Sequence, residues 1–403
     1  MRVLLSTIGS RGDVQPLVAL AVRLHHLGHE ARLCAPPDFR DWVESFGIAF
    51  VPLGPELRWT ATAKPMAAPT RPSAELLRQM IEGTVATQFE TIPAAAEGCD
   101  VIVAGNALNI AARSVTEQMG IRYVFVAYCP ITLPSPHHAP PKVPAWTPKN
   151  PAADNRTLWA EDAERWNERW APALNSHRAS AGLPPVSDVR RHILTDHPWL
   201  AADPTLAPWP NGEELAVFQT GAWMLSDDRP LPAELETFLA AGEPPVYLGF
   251  GSVRAPQDIC AIVIQAARAL GRRTIVSRGW ADLSPLGDEP DCMVIGDVNQ
   301  QTLFTRVAAV VHHGGAGTTT AAARAGAPQV VIPQLHDQFY FAQRVSDLGI
   351  GSAYPAAPTI ESLTNAIDHA LQSGVVARAR SIAATVRTNG AEVAAQRLMT
   401  GTP

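Results

Sequence analysis

Residues 307–338 read VAAVVHHGGAGTTTAAARAGAPQVVIPQLHDQ, and the rest of the chain is organised around them. The apolar run 307–311 leads into His312-His313-Gly314-Gly315-Ala316-Gly317-Thr318-Thr319. A helix of small residues follows and stops at Gly326-Ala327-Pro328. A second apolar strand, 330–332, ends at Pro333, and the loop beyond it carries His336-Asp337-Gln338. Strand, glycine turn and helix N-terminus in that order make an anion site. The first amides of a helix have no intrahelical acceptor, and its dipole is positive at that end. Glycines let the backbone approach a phosphate, Thr318 or Thr319 can cap or donate, and His313 adds a side-chain donor. A glycine turn alone is as often a plain tight connection. The carboxylate–amide pair Asp337-Gln338 at the end of the next strand sharpens the reading. In an open parallel sheet the ligand crevice lies beyond the carboxyl ends of the strands. Turn and pair therefore face one ligand, anionic at one end and rich in hydroxyls at the other.

Outward from this stretch, strands and helices alternate, which is the pattern of a parallel α/β sheet. At the N-terminus, strand 3–6 enters Thr7-Ile8-Gly9-Ser10-Arg11-Gly12-Asp13-Val14-Gln15-Pro16. Leu17, Leu20, Ala21 and Leu24 then recur at helical spacing. Gly9 and Gly12 do not match GxGxxG, which removes most support for a nicotinamide cofactor. Strands follow at 31–34, 49–53, 101–104 and 123–127, with helices at 39–46, 74–88 and 107–119. The segment 130–155 is proline-rich and holds His137, His138 and Trp146. Trp159, Trp166 and Trp170 then share one face of a helix, either packed on the core or forming an aromatic lip over a cleft. His137 and His138 have no third partner at metal-ligand spacing.

A composition shift near 205–230 marks a linker. We expect an N-terminal domain over 1–215, a linker over 216–230, a second domain over 231–385 and a helical tail over 386–403. In the second domain, strands 245–250, 274–277 and 293–295 each end in a Gly/polar turn, as 307–311 does. Four such ends in register make a ligand rim. The expected architecture is two Rossmann-like domains facing each other across a cleft.

Composition narrows the function further. At 403 residues, 46% apolar and 17% charged, the chain can bury sizeable cores. A formal charge of −6 without a long Lys/Arg run argues against nucleic acid. Cys34, Cys99, Cys129, Cys260 and Cys292 are scattered, so they read as buried thiols of a reducing cytoplasm, with no zinc site. No apolar run reaches membrane-spanning length, and no stable membrane anchor is expected.

At this point the residues resemble a known family. SRGDVQPLVALAVRL, VYLGFGS, SRGWADL and HHGGAGTT followed by DQ are similar to family-one glycosyltransferases of the two-domain GT-B fold. IPAAAEGCD, LNSHRASAGLPPV and TDHPWLAADP extend the resemblance to the enzymes that decorate vancomycin-group glycopeptides. It implies a nucleoside-diphosphate-sugar donor on the C-terminal domain, a dTDP- or UDP-sugar, and an aglycone in the N-terminal cleft. It also implies inversion at the anomeric carbon with neither metal nor cofactor, a monomer, and a C-terminal helix packing back on the N-terminal domain. By resemblance, His313 and the turn Gly314, Gly315, Ala316, Gly317 and Thr318 hold the diphosphate, with Ser252, Arg11 and Gly12 beside it. Val298 lies where the family's backbone meets the base, and Arg278 and Trp280 flank the nucleoside. Asp337 and Gln338 resemble the pair that contacts sugar hydroxyls. Asp13 stands where relatives place a base, with Ser10 positioning the acceptor and Trp146, His137 and His138 lining its side. The slot of the base-stacking tryptophan of plant relatives falls on Asp297, which cannot stack, leaving Trp280 or another arrangement.

Inverting transfer needs a base near the acceptor hydroxyl, stabilised charge on the departing diphosphate, and alignment. Fixed amides at 313–318 supply the second, and no Asp-x-Asp cluster for magnesium occurs in the C-terminal half. Asp13 is the candidate base or, equally, a cap of the following helix. An ordinary carboxyl, with a pKa of about 4, is a weak base for an alcohol, so Asp13 needs a desolvated cleft or an acidic hydroxyl. Macrolide, polyketide or sterol-like acceptors, an epimerase, and a non-catalytic sugar-nucleotide-binding partner are the competing readings.

Overall fold

The fold is taken from a computed structural model, described over residues 1–62, 73–141, 148–210, 215–285, 290–354 and 357–401. Its first sheet contains β1 (Arg2–Thr7), β2 (Glu30–Ala35), β3 (Ala49–Pro52), β4 (Val101–Gly105), β5 (Arg122–Ala127), β6 (Trp199–Leu200) and β7 (Phe218–Gln219). The second contains β8 (Val246–Gly249), β9 (Thr274–Ser277), β10 (Cys292–Ile295), β11 (Ala309–His312), β12 (Gln329–Val331) and β13 (Gly351–Ala353). Strand order is β3-β2-β1-β4-β5-β6-β7 in one and β10-β9-β8-β11-β12-β13 in the other. All pairings are parallel. Helices cover both faces, which is why β4, β8, β11 and β12 are buried along their whole length and mostly apolar.

Each sheet reverses its winding once, between β1 and β4 and between β8 and β11. Those reversals leave a crevice beyond the strand ends, the usual ligand position in such sheets. The first is bordered by the helix Arg11–His26 and by Asn106, the second by the turns after β8 and β11.

Several elements differ from the sequence expectation. β7 pairs with β6, so the first sheet extends into the span 216–230 that composition marked as linker. Residues 155–180 form one helix, Asn155–Ser180, and Pro172 lies inside it without ending it. Trp159 and Trp170 are buried, and Trp170 packs in the apolar cluster around Phe125 and Leu174, so core packing accounts for that face. The helix expected over 107–119 starts only at Ala112, because Asn106 takes a left-handed φ of 64° and its side-chain oxygen accepts the Leu108 amide.

The C-terminal helix Gly390–Thr400 returns to the first domain. Ala394, Ala395 and Leu398 join the core formed by Val14, Leu17 and Leu24 of the helix Arg11–His26, and Arg23 pairs with Glu392. Burying a leucine of this kind contributes about 1.5–3 kcal/mol. Gly390 lets the chain cross the linker closely: a Cβ there would lie 2.5 Å from the backbone of Gly221 and Ala222. Gly390→Ala should therefore destabilise the protein by about 1–3 kcal/mol, read as a lowered Tm in thermal unfolding.

Candidate active site

The anion turn is built as its residues dictate. β11 ends at His312, Gly314 turns with φ 91°, and the helix Ala316–Ala325 begins after Gly315. Only glycine fits at Gly314, since a Cβ would meet Val331 Cγ1 at 2.6 Å and the Gln338 carbonyl oxygen at 3.0 Å. The same contacts place the turn against the end of β12 and the start of the helix Gln338–Asp347. Thr319 and Thr320 do not cap the helix; their hydroxyls donate to the carbonyls of Gly315 and Ala316 one turn back. The amides of the first turn keep no intrahelical acceptor. Gly317 is exposed with open space around its Cα, and Ala316 leans on the apolar cluster of the N-terminal domain.

His312 is the strut of this turn. Its Nδ1 accepts the Gly314 amide at 3.1 Å, and its Nε2 lies 2.9 Å from Gln329 Oε1, so Nε2 carries the proton. The Gly314 amide is thereby consumed internally, and the free donors are those from Gly315 onward. His313 is buried, and burial lowers its pKa to about 4, partly offset by the backbone of Gly249. It is therefore neutral at pH 7. Its Nδ1 is buried and makes no hydrogen bond, while Nε2 lies next to Gly315.

Asp337 sits at the N-cap position of the helix Gln338–Asp347, yet its carboxylate makes no cap bond. Burial first, and then the charge of Asp13, raise its pKa to about 7. Gln338 is oriented by its own loop: Oε1 accepts the amides of Gln334 and Leu335 at 2.7 and 3.0 Å. That leaves Nε2 as the end able to meet a ligand, so Gln338 donates and does not accept.

Across the cleft, Ser10 is the N-cap of the helix Arg11–His26 and Asp13 is its N3 residue. The Ser10 amide donates to Asp13 Oδ2 at 2.8 Å, and Asn106 Nδ2 donates to Oδ1 at 3.1 Å. Cap and cleft carboxylate are thus one residue. Burial raises the Asp13 pKa, opposed by Asn106, by Ser10 and by His336 of the other domain. The Tyr128 hydroxyl donates to the Asp13 carbonyl at 3.2 Å. Asn106 and Tyr128 escaped the sequence reading; the available signal was a polar residue following each of two apolar strands.

The other predicted residues lie on both sides of the cleft. Arg11 lies 3.5 Å from Asp297 of the opposite domain, over the Trp42 ring, and bonded to Gln15. Trp280 stacks on Phe39 at 5.4 Å, so its ring bridges the domains. Arg278 is exposed near Asp282, and the Val298 side chain packs inward with Leu231 and Phe304, leaving its backbone to the rim. Ser252 follows Gly251, whose Cα lies against the His313 ring, and Gly12 is exposed. His138 is held within the N-terminal domain, bonded to the Leu133 carbonyl and packed edge-on to Trp159 and Trp209, and His137 is exposed beside it. Trp146 lies outside the described residues.

This geometry has counterparts in known proteins. The family model for the glycosyltransferase family 28 N-terminal domain matches residues 3–135, and that for the erythromycin biosynthesis protein CIII-like C-terminal domain matches residues 263–397. A vancomycin aglycone glucosyltransferase of Amycolatopsis orientalis is 50% identical over 403 residues, covering 99% of this chain and 97% of the relative. The chain belongs to this glycosyltransferase family. A dTDP-epi-vancosaminyltransferase of the same organism is 46% identical to the glycosyltransferase, over 95% of this chain and 93% of the relative. Among solved structures, the glycotransferase of kitacinnamycin superposes with a TM-score of 0.73 at 20% identity, covering 100% of this chain and 99% of that one. The glycosyltransferase thus has the GT-B fold, and among its described residues no helix is long and apolar enough to cross a membrane.

Proposed function

We propose that this glycosyltransferase moves a hexose or deoxyhexose from a dTDP- or UDP-sugar to a hydroxyl of a glycopeptide aglycone, inverting the anomeric carbon. One observation carries the reading: polar groups without partners converge on one crevice. They are the first-turn amides after Gly315, the Asp337 carboxylate and Gln338 Nε2, with the His313 ring beside Gly315 and the hydrogen-bonded Asp13 carboxylate across the cleft. The amides and helix dipole match a departing diphosphate, and because they are fixed beforehand, they stabilise its charge without reorganising. We assign that charge stabilisation to the turn, with no divalent ion and no cofactor beyond the substrates. Asp337 and Gln338 match sugar hydroxyls, and Asp13 takes the acceptor proton. The glycopeptide acceptor is supported by the relatives named for vancomycin-group substrates.

The test is incubation with dTDP- and UDP-sugars and glycopeptide aglycones, with and without chelator. Product masses should show one added sugar, the NMR coupling at the new anomeric carbon should show inversion, and chelator should leave turnover intact. Turnover lost in chelator would remove the metal-free reading, and sugar rearranged without acceptor would point to an epimerase. Gln338→Glu, which keeps the loop acceptor and removes the donor, should raise KM for the sugar nucleotide about tenfold and leave nucleoside diphosphate affinity unchanged.

A further inference from the structure

We propose that Asn106 is the positioning residue of the base, its side-chain amide holding the Asp13 carboxylate oriented and charged for proton abstraction. The inference rests on the reading of Asp13 as that base.

Asn106 stands at the end of β4, next to β1 at the winding reversal. Its φ of 64° lies in the left-handed region, which asparagine tolerates better than most residues. The position is over-determined. The Asn106 amide donates to the Val126 carbonyl at 3.1 Å, and buried Asn109 donates to the Gly105 carbonyl at 2.7 Å. Its Oδ1 accepts the Leu108 amide at 2.9 Å, which turns Nδ2 towards the first domain's crevice. There Nδ2 meets the Ile8 carbonyl at 2.9 Å, Asp13 Oδ1 at 3.1 Å and Thr7 Oγ1 at 3.2 Å. Every atom around that nitrogen can accept, so the network fixes the end that faces Asp13 as the donor. With the Ser10 amide on Oδ2, the carboxylate is pinned through both oxygens, from its own helix and from β4.

A carboxylate in a desolvated crevice gains a proton more readily, and a protonated Asp13 cannot act as a base. The groups facing it are Tyr128 from after β5, and His336 and Asp337 from the opposite domain. His336 favours the charged form and Asp337 opposes it. The Asn106 amide, just after β4, favours the charged form as well, and it belongs to the same domain as Asp13.

The experiment is the pH dependence of kcat/KM in Asn106→Gly and Asn106→Asp. Glycine adopts φ 64° without strain and removes the donor together with the acceptor for the Leu108 amide, which Asn106→Asp retains. Aspartate keeps the shape and the acceptor for Leu108 and sets a second carboxylate against Asp13. The acid limb should move to higher pH by about one unit in Asn106→Gly and further in Asn106→Asp, with nucleoside diphosphate affinity unchanged. Activity lowered by one factor at every pH, with the limb unmoved in both variants, would make Asn106 merely structural and overturn the inference. Asp13→Asn run alongside separates the two readings. Turnover persisting there defeats the base assignment itself, whereas turnover lost with an unmoved limb in the Asn106 variants defeats only the role of Asn106.

Discussion

Asp13→Ala should lower kcat by about 10²–10⁴-fold while nucleoside diphosphate affinity, measured by calorimetry, stays at the wild-type value. The two readouts separate because Asp13 belongs to the first domain and the anion turn to the second. A purely capping role predicts something else. Losing the carboxylate that accepts the Ser10 amide would cost stability and leave the chemistry of the folded enzyme untouched. A lowered Tm with normal kcat would therefore end the base assignment. The wild-type pH profile carries the same information. Only ionised Asp13 accepts a proton, and burial raises its pKa, so kcat/KM should fall on acidification from a pH above the ordinary carboxylate value of about 4. A profile flat down to that value would place the proton acceptor elsewhere.

Gly314→Ala should damage binding as well as turnover, reducing kcat/KM by about 10²–10³-fold and weakening nucleoside diphosphate affinity with it. Three effects combine at this residue. Its φ of 91° is hostile to a side chain, at a cost of about 1–3 kcal/mol. The new Cβ would lie 2.6 Å from Val331 Cγ1 and 3.0 Å from the Gln338 carbonyl oxygen, so the turn and the start of the helix Gln338–Asp347 must part. Its amide is tied to His312 Nδ1, so any shift also loosens the buried His312–Gln329 pair. The amides aimed at the diphosphate then point elsewhere. Gly317→Ala is the comparison, because a Cβ there meets no other residue and leaves the amides where they are. It should lower kcat/KM less than Gly314→Ala does. Equal loss in both variants would mean that fixed amide direction is not what matters.

The His312 network shows where local reading stops. The pair His312-His313 was visible as two histidines before a glycine turn, and only the fold assigned them opposite tasks. Burial beside β12 gives His312 a partner for each ring nitrogen, whereas His313 sets its Nε2 beside Gly315 of the turn. Trp280 makes the same point from the other side. Its place in SRGWADL suggested a nucleoside neighbour, and only the fold showed that one face of its ring stacks on Phe39 of the facing domain. Asp13 was legible both as cap and as base, and the structure shows why neither excluded the other: its two oxygens do separate work.

The sequence by itself determined the α/β alternation and the anion turn, the carboxylate–amide pair at the next strand end, and the absence of a dinucleotide fingerprint. These are local matters, settled by hydrophobic period, by glycine's freedom at positive φ, and by residues a few positions apart. Only the tertiary structure decided that Asn106 meets Asp13 across 93 positions and that Arg11 faces Asp297, and which residues of the C-terminal helix, expected there by resemblance, enter the first domain's core. The reason is the winding of a parallel sheet. Strands that are neighbours in space are separated in the chain by whole crossover units, so which strand ends meet depends on sheet order. No short stretch of residues records that order.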